Sequence, residues 1–351
     1  MNIDFLDSIK EESSVLSVED EYITKVIEKG KPLQASLEDM AQILGDAVEI
    51  RPFEDVEKLF APEAPGAVFC FTENEGKQRK FALVRGRTVY EAEVCAEVLK
   101  KAAEIEIKAE CLGGTKPLSA LNCKIMREKY LNSYSKKEGL YEEMQRTSCK
   151  GKANKEENLY GAGALTWALA DAREKLVEYG LKLQAWDLVQ GTWGNLSVRI
   201  SEEIMLCTPS GISYDKLKPE DMTAVNIFTD KMLPNFGTSV GVKETSESIM
   251  HTEIYRKRND VGSIIHTHSK YASVFAAAEK GFADGNIGIS EYASAGTHEL
   301  AIKVAEALGD SSAVIMAHHG MAAVGENLVD AFDMAGAVER EAENQIKFGR
   351  K

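Results

Sequence analysis

The stretch "VGSIIHTHSKYASVFAAA", residues 261–278, places two histidines one residue apart at the end of an apolar run. Side chains in a β-strand alternate between the two faces of the sheet, so His266 and His268 point to the same face. Two imidazoles on one face of a buried strand need a polar partner, and a divalent metal ion is a common one. A pair of solvated histidines at a strand tip is the alternative, and these residues alone leave both interpretations open.

The composition excludes several classes of protein. The chain has 351 residues with a net charge of −14, and it offers no basic surface for nucleic acid or anionic lipid. No apolar run reaches the ~18 residues that a membrane span needs, and the N-terminal segment lacks a signal-peptide pattern. The six cysteines form no CxxC pair, which is typical of reduced thiols. These features predict a cytoplasmic protein, and the length predicts two domains.

Helix and strand patterns alternate in the second half of the chain. Helical spacing occurs over residues 164–184, 246–258 and 296–309, whereas 195–200, 203–209 and 312–319 have the pattern of strands. Helices around a mainly antiparallel sheet predict an α/β (α+β layered) domain. Neither a GxGxxG turn after a strand nor a GxxxxGK[ST] loop is present, so a dinucleotide or P-loop site is not supported.

The predicted strand "SAVIMAHH" supplies a third histidine. A catalytic zinc ion takes three protein ligands and keeps one position open. Adjacent residues of a strand point in opposite directions, so only one of His318 and His319 can join His266 and His268. Which of the two joins them is not decided by this pattern.

The segment before the first histidine pair begins a predicted helix. Thr245 and Ser246 are typical N-cap residues, which would place Glu247 in the first turn, where the helix dipole favours an anion. Completing the helix start is the alternative explanation of this glutamate. His251 lies one turn further on the same face, where we expect it to support the site rather than bind metal.

Three short segments offer neutral hydrogen-bond donors that could together hold an anion. Each of them is, taken singly, also explained as an ordinary turn. The candidate residues are Thr192, Gly194, Asn195, Ser210, Gly211, Thr245 and Ser246.

The first half differs from the second because it contains no histidine; all six lie beyond residue 250. It nevertheless repeats patterns of the second half: "AQILGD" at 41–46 is similar to "AEALGD" at 305–310, and "GAVFC" at 66–70 to "SAVIM" at 312–316. The helical pattern at 88–110 also matches the one that starts at 327. We therefore expect residues 1–150 to be a degenerate, non-catalytic partial repeat and 155–351 to be the catalytic domain. Chance similarity of helices rich in Ala, Glu and Lys is the alternative.

Five motifs of the second half, "GTWGNLSVR", "TPSGISYDKL", "TSESIMHTEIYRKRNDVGSIIHTHS", "AGTHELA" and "HHGM", resemble the class II aldolase/adducin family in wording and order. The resemblance covers about residues 160–351. The family includes zinc-dependent L-fuculose-1-phosphate aldolases and ribulose-5-phosphate 4-epimerases, and it implies a three-layer domain. It further implies zinc ligands His266, His268 and His319, an acid/base Glu247, and a phosphate held by Thr192, Asn195, Ser210, Gly211, Thr245 and Ser246.

The resemblance implies a lyase that cleaves a phosphorylated ketose reversibly through a metal-stabilised enediolate, with Zn²⁺ or another divalent ion as cofactor. It also implies a homo-oligomer with active sites near subunit interfaces. A 4-epimerase and a dehydratase of the same family are alternatives, and an adducin-like, non-catalytic structural protein is a third.

The sequence departs from the family pattern in two places. Residues 281–292 look shortened where aldolases carry a tyrosine that acts across a subunit interface, and Tyr292 is a weak candidate for it. The resemblance places the tail that usually follows the last helix after the N-terminal copy instead. Tyr130 or Tyr134 of that tail could therefore reach a metal site.

Overall fold

The computed structural model describes residues 14–58, 65–74, 77–134, 164–189, 192–234, 236, 238–239 and 241–349. The chain separates into two compact units, Met1–Ser133 and Tyr134–Lys351. The connection expected at 150–155 lies outside the described residues. None of the helices in the described part is long and apolar enough to cross a membrane.

The first unit is an α/β structure. Its described strands and helices are β1 (Val15–Val18), α1 (Glu21–Lys29), β2 (Leu33–Gln34), α2 (Glu38–Ile43), β3 (Ala47–Val48), β4 (Ile50–Pro52), β5 (Gly66–Asn74), β6 (Lys77–Arg85), α3 (Val89–Lys108) and α4 (Ala120–Lys129). The main sheet has the order β1-β6-β5-β4, in which only β4 and β5 are parallel. β2 and β3 form a separate antiparallel ribbon.

The second unit contains a larger sheet. Its described strands and helices are α5 (Ala164–Ala185), β7 (Asn195–Arg199), β8 (Ile204–Cys207), β9 (Thr223–Asn226), α6 (Ser248–Lys257), β10 (Ser263–Thr267), α7 (Lys270–Ala277), β11 (Gly288–Ser290), α8 (His298–Leu308), β12 (Ala313–Met316), β13 (Gly320–Gly325) and α9 (Leu328–Phe348). The strand order is β11-β12-β13-β10-β7-β8-β9, and β11 with β12 is its one parallel pair. The predicted mainly antiparallel sheet is thus confirmed.

Helices cover both faces of this seven-stranded sheet. α6 and α8 pack against each other and share a buried apolar core with β8, β9, β10, β12 and β13. The helices α5, α7 and α9 also contact strands of the sheet, but they do not belong to this core. β10 lies between β13 and β7 and is buried along its whole length, which explains its continuous apolar sequence before the first histidine. The result is the expected three-layer architecture.

The two units share a strand arrangement. In the first unit, β1 pairs antiparallel with β6, β6 antiparallel with β5, and β5 parallel with β4. In the second, β10 pairs antiparallel with β13, β13 antiparallel with β12, and β12 parallel with β11. One difference is the place of the parallel strand in the chain. β11 precedes helix α8, whereas β4 follows helix α2.

A pair of glycines shows the similarity at atomic detail. Gly86 follows β6, and a Cβ atom there would lie 2.2 Å from the backbone nitrogen of Ala92. Gly325 ends β13, and a Cβ atom there would lie 2.5 Å from the backbone nitrogen of Ala331. In both units the long helix α3 or α9 therefore turns so closely over the preceding strand that only glycine fits. The two glycines are 239 positions apart, as are the two alanines.

Candidate metal centre

Three histidines of the second unit converge. His266 lies within β10, His268 follows the end of that strand, and His319 lies in the turn between β12 and β13. Their ring centroids are 4.8–4.9 Å apart, and Nε2 of His268 lies 3.0 Å from Nε2 of His266. The three side chains are 0%, 7% and 3% exposed. One ligand nitrogen from each ring lies within 4.8 Å of the other two.

This donor set fits a divalent metal ion. Imidazole nitrogens around tetrahedral zinc bind at ~2.0–2.1 Å and so lie about 3.3 Å from one another. The spacing of the rings is close to that arrangement. Nδ1 of His266 donates a hydrogen bond to the carbonyl oxygen of Met321 at 2.9 Å, which leaves Nε2 with its lone pair facing the other two rings. A cluster of buried lone pairs is favourable only around a cation or a shared proton.

The turn that carries His319 differs from the predicted strand. β12 ends at Met316, so His318 and His319 belong to a tight turn, and strand alternation is the wrong reason for separating them. His318 has the left-handed φ of 59°, which directs its side chain to Glu279, where its Nε2 lies 2.9 Å from Oε1. Gly320 then closes the turn against β10, because a Cβ atom there would lie 2.2 Å from the carbonyl oxygen of Thr267.

Glu247 lies beside two of the three histidines. Its Oε2 is 2.9 Å from Nε2 of His266, and its Oε1 is 3.0 Å from Nε2 of His319. Burial alone would raise the pKa of the Glu247 carboxyl, but positive charge on the His266 and His319 rings outweighs it and holds this pKa well below its usual range. A divalent ion held by the same rings would act in the same direction, so a cation at their convergence point, which Glu247 faces, keeps the carboxylate ionised.

The start of α6 differs from the prediction. The N-cap position is Glu247 itself, and the helix begins at Ser248, so Thr245 and Ser246 precede the cap. Thr245 is buried, and its Oγ1 accepts a hydrogen bond from the backbone nitrogen of Glu247 at 3.4 Å. Ser246 is exposed. The cap position lets the Glu247 side chain turn toward the histidines instead of bonding to its own helix.

Behind Glu247 lies a chain of buried side chains that connects β7 to α6. Nδ2 of Asn195 donates to Oε2 of Glu247 at 3.1 Å, and Oδ1 of Asn195 lies 2.6 Å from Nε2 of His251. Nδ1 of His251 lies 2.7 Å from Oγ of Ser197, which in turn lies 2.9 Å from the hydroxyl of Tyr255. His251 thus supports Asn195. Burial lowers the pKa of His251 to about 3, so its ring is neutral.

Sequence reasoning missed Ser197 and Tyr255. Both follow from spacing, because Ser197 is two residues from Asn195 on a strand and Tyr255 is four from His251 on a helix. Their side chains therefore share a face with residues that had already been identified.

The predicted anion-binding residues lie in three segments near Glu247. The Ser210–Gly211 turn packs against the loop leading to Thr245, since the backbone nitrogen of Ser210 donates to the carbonyl of Lys243 at 3.0 Å. The loop of Thr192 and Gly194 enters β7, and Asn195 is the first residue of that strand. Convergence of these segments on one anion stays a prediction.

Two glycines in these segments have left-handed backbone conformations, Gly194 with φ 91° and Gly211 with φ 78°. At Gly194 a Cβ atom would lie 2.8 Å from the carbonyl oxygen of His266. Only glycine lets this loop approach the histidine strand so closely.

The candidate tyrosines have partners outside the three-histidine cluster among the described residues. The ring of Tyr292 packs edge-on against His318 at 5.2 Å, on the histidine that is not part of the three-histidine cluster. The hydroxyl of Tyr130 donates to Glu91 within the first unit at 3.0 Å. Tyr134 ends the last described segment of that region, and nothing is described of its side chain. A function of either N-terminal tyrosine at the metal centre stays a prediction.

A carboxylate that sequence reasoning also missed holds the helix that follows His268. Glu339 of α9 accepts hydrogen bonds from Oγ of Ser269 at 2.7 Å and from the backbone nitrogens of Tyr271 at 2.7 Å and Ala272 at 2.9 Å. It thereby caps the N-terminus of α7 from about 70 residues away. No local signal could have revealed this bond.

Residues 174–346 match the family model for the class II aldolase and adducin N-terminal domain. A 5-deoxy-D-ribulose 1-phosphate aldolase of Bacillus thuringiensis is 34% identical over 181 residues, which cover 49% of this chain and 82% of the relative. An L-fuculose phosphate aldolase of Haemophilus influenzae is 31% identical over 183 residues, 48% of this chain and 80% of the relative. A probable L-ribulose-5-phosphate 4-epimerase of Mycoplasma pneumoniae is 34% identical over 111 residues, 31% of this chain and 44% of the relative. The resemblance seen in the sequence is thus confirmed, and the chain belongs to the class II aldolase/adducin family.

Proposed function

We propose that the second unit is a zinc-dependent sugar-phosphate aldolase that reversibly cleaves a phosphorylated ketose. The observation that carries the proposal is the convergence of three buried imidazoles with one buried, ionised carboxylate. Metal-assisted acid–base catalysis needs both parts: imidazoles that can hold a metal ion and a carboxylate that can carry a proton.

His266, His268 and His319 would hold the ion. When bound, a divalent ion polarises the carbonyl and hydroxyl oxygens of a ketose, which stabilises negative charge as the carbon–carbon bond breaks. His266 is oriented for this by its bond to Met321, and the start of α7 fixes His268.

Glu247 would move the proton. Its carboxylate can accept the proton of the substrate hydroxyl as the carbon–carbon bond breaks and then donate that proton to the carbanionic carbon of the ketone fragment, and in the synthetic direction the two transfers run in reverse. Asn195 donates one hydrogen bond to Oε2, which leaves lone pairs of both carboxylate oxygens for the substrate. The carboxylate oxygens of Glu247 lie 2.9–3.0 Å from two of the ring nitrogens, which places this base next to any molecule that binds at the centre.

The substrate phosphate would be held by neutral donors. The chain has a net charge of −14, so an anion needs a local site of backbone N–H groups and hydroxyls. The segments around Thr192, Ser210 and Thr245 offer such groups beside Glu247. The relatives with aldolase names match over most of their own length, which supports aldol cleavage over epimerisation.

Metal analysis and a substrate panel test this proposal. The full chain purified without chelator should contain one divalent ion, and it should release dihydroxyacetone phosphate from 5-deoxyribulose 1-phosphate or L-fuculose 1-phosphate. Glu247→Gln should keep the metal and lose turnover by about 10²–10⁴-fold, whereas the exposed Glu202→Gln serves as the control. Metal-free protein would overturn the metal assignment and favour an adducin-like structural function. Metal-loaded protein that only epimerises L-ribulose 5-phosphate would overturn the aldolase assignment.

We further propose that the first unit is a degenerate copy without a metal site. The shared strand order and the matching glycines support a common origin. Ser17 pairs with Leu83 as His266 pairs with Ala322, so Ser17 and Glu19 occupy the positions of His266 and His268. Glu19 accepts a hydrogen bond from Nε of Arg79 at 2.6 Å. A measured content of two metal ions per chain would contradict this proposal.

A further inference from the structure

We infer that the buried chain Tyr255–Ser197–His251–Asn195 fixes the orientation of the Glu247 carboxylate, which makes His251 and Ser197 positioning residues for the reaction. The inference rests on the proposed function of Glu247 as the proton carrier.

The Glu247 carboxylate, at one end of this series of hydrogen bonds, determines which group donates in each of them. A carboxylate only accepts, so Asn195 must present its NH₂ group to Glu247 and its oxygen to His251. The Asn195 oxygen also only accepts, so His251 must carry its proton on Nε2. Nδ1 of His251 is then an acceptor for the Ser197 hydroxyl, and Ser197 accepts in turn from Tyr255.

The residues are arranged by the periods of two regular elements. Glu247, His251 and Tyr255 follow one another at intervals of four, starting from the N-cap of α6, and therefore lie on one face of it. Asn195 and Ser197 lie on one face of β7. The hydrogen-bonded chain thus joins a helix to a strand along a seam instead of depending on a loop.

The four hydrogen-bonded side chains are uncharged and shielded from water. Ser197, His251 and Tyr255 are fully buried, and Asn195 is 5% exposed. The charged groups that face it are Glu247 at one end and Arg199 at the other, whose guanidinium lies 4.6 Å from the centroid of the Tyr255 ring. A neutral amide orients the carboxylate without pairing it with a cation, so Glu247 is held in place and remains available as a base.

Removing one hydroxyl from the chain is expected to disturb Glu247 without emptying the site. In Ser197→Ala, Nδ1 of His251 loses its hydrogen-bond partner, so the ring keeps its proton on Nε2 but is held on one side only. Asn195 and, through it, the Glu247 carboxylate are then less firmly oriented. Tyr255→Phe removes only the outermost bond, and the direction of the remaining bonds is kept.

Steady-state kinetics of the full, metal-loaded chain test the inference. Ser197→Ala should lower kcat by about 10- to 100-fold, with KM and metal content close to wild type. Tyr255→Phe should have a smaller effect on kcat. Ser273→Ala is the matched control, because Ser273 is as fully buried in the same unit and lies on α7. Ser197→Ala with the kcat of this control, with raised KM alone, or without metal would overturn the inference.

A second measurement does not depend on turnover. Nitrogen-15 NMR of histidine-labelled protein should show His251 protonated on Nε2 in the wild type and, in Ser197→Ala, a shifted Nδ1 resonance from loss of the hydrogen bond to that atom. A wild-type His251 protonated on Nδ1 would overturn the inference. The proposed function is tested separately: if Glu247→Gln is fully active, that proposal fails, whereas inactive Glu247→Gln with unaffected Ser197→Ala leaves it standing and removes only the positioning chain.

Discussion

Replacing Glu339 with glutamine tests how a distant carboxylate supports His268, which we propose as a metal ligand. The Glu339 side chain accepts three hydrogen bonds at the start of α7, from the hydroxyl of Ser269 and the backbone nitrogens of Tyr271 and Ala272. His268 immediately precedes Ser269. Glutamine keeps the length of the side chain but has one acceptor oxygen and no charge.

The loss in stability can be derived from these contacts. At least one charge-assisted hydrogen bond disappears, at ~1.5–3 kcal/mol, and the favourable interaction with the helix dipole contributes another ~0.3–1 kcal/mol. The sum is about 2 kcal/mol, because Glu339 is only partly buried and the lower values apply. For a unit of this size, this corresponds to a decrease of roughly 4–8 °C in Tm.

Scanning calorimetry of the chelator-treated protein measures the change in Tm, and competition with a chelator measures metal affinity. We expect affinity to fall by about 10- to 100-fold, because His268 loses its rigid support. Glu341→Gln on the exposed side of the same helix is the control. A Glu339→Gln variant with the Tm and the metal affinity of this control would refute the reasoning.

Two further predictions concern the other histidines. His318→Ala should keep the metal and His319→Ala should lose it in elemental analysis, because His318 bonds to Glu279 whereas His319 faces the cluster; the reverse result would show that the turn is misassigned. His251 has its pKa lowered to about 3 by burial, so the unfolded chain binds a proton near pH 6.5 while the native state does not, and this residue costs stability progressively as pH falls from about 6.5 toward 3. His251→Gln should therefore remove about 2 kcal/mol of the stability loss between pH 7.5 and 5 in urea unfolding; a pH dependence identical to wild type would argue against a neutral buried imidazole.

The parts of the site that follow regular periods could be predicted from the sequence. His266 and His268 share a face because a strand repeats every two residues, and His251 lies behind Glu247 because a helix repeats about every four. The continuous apolar sequence of β10 also indicated its central position, since a strand covered on both faces is apolar throughout.

The parts of the site that depend on turns or on distant residues could not be predicted from the sequence. The segment "AVIMAHHGM" has the pattern of one continuous strand, yet the backbone turns after Met316, and only the close approach of Gly320 to β10 explains where. The short strand Gly288–Ser290 gave no strand pattern, because its pairing with β12 rather than its own side chains makes it a strand. Glu339 is about 70 residues from the helix that it caps.

The place of β10 in the sheet accounts for our proposal that the second unit, and not the first, holds a metal centre. Each neighbour of β10 contributes to the site: β13 supplies the carbonyl of Met321 that orients His266, and β7 supplies Asn195, which bonds to Glu247. The corresponding strand β1 pairs with β6 on one side, and among the described residues no strand pairs with its other edge. Restoring histidines at Ser17 and Glu19 would therefore recreate part of the ligand set but not the strand that holds the base. The proposed metal centre draws on both neighbours of the central strand, so in the described part of the first unit two restored histidines alone would not complete such a centre.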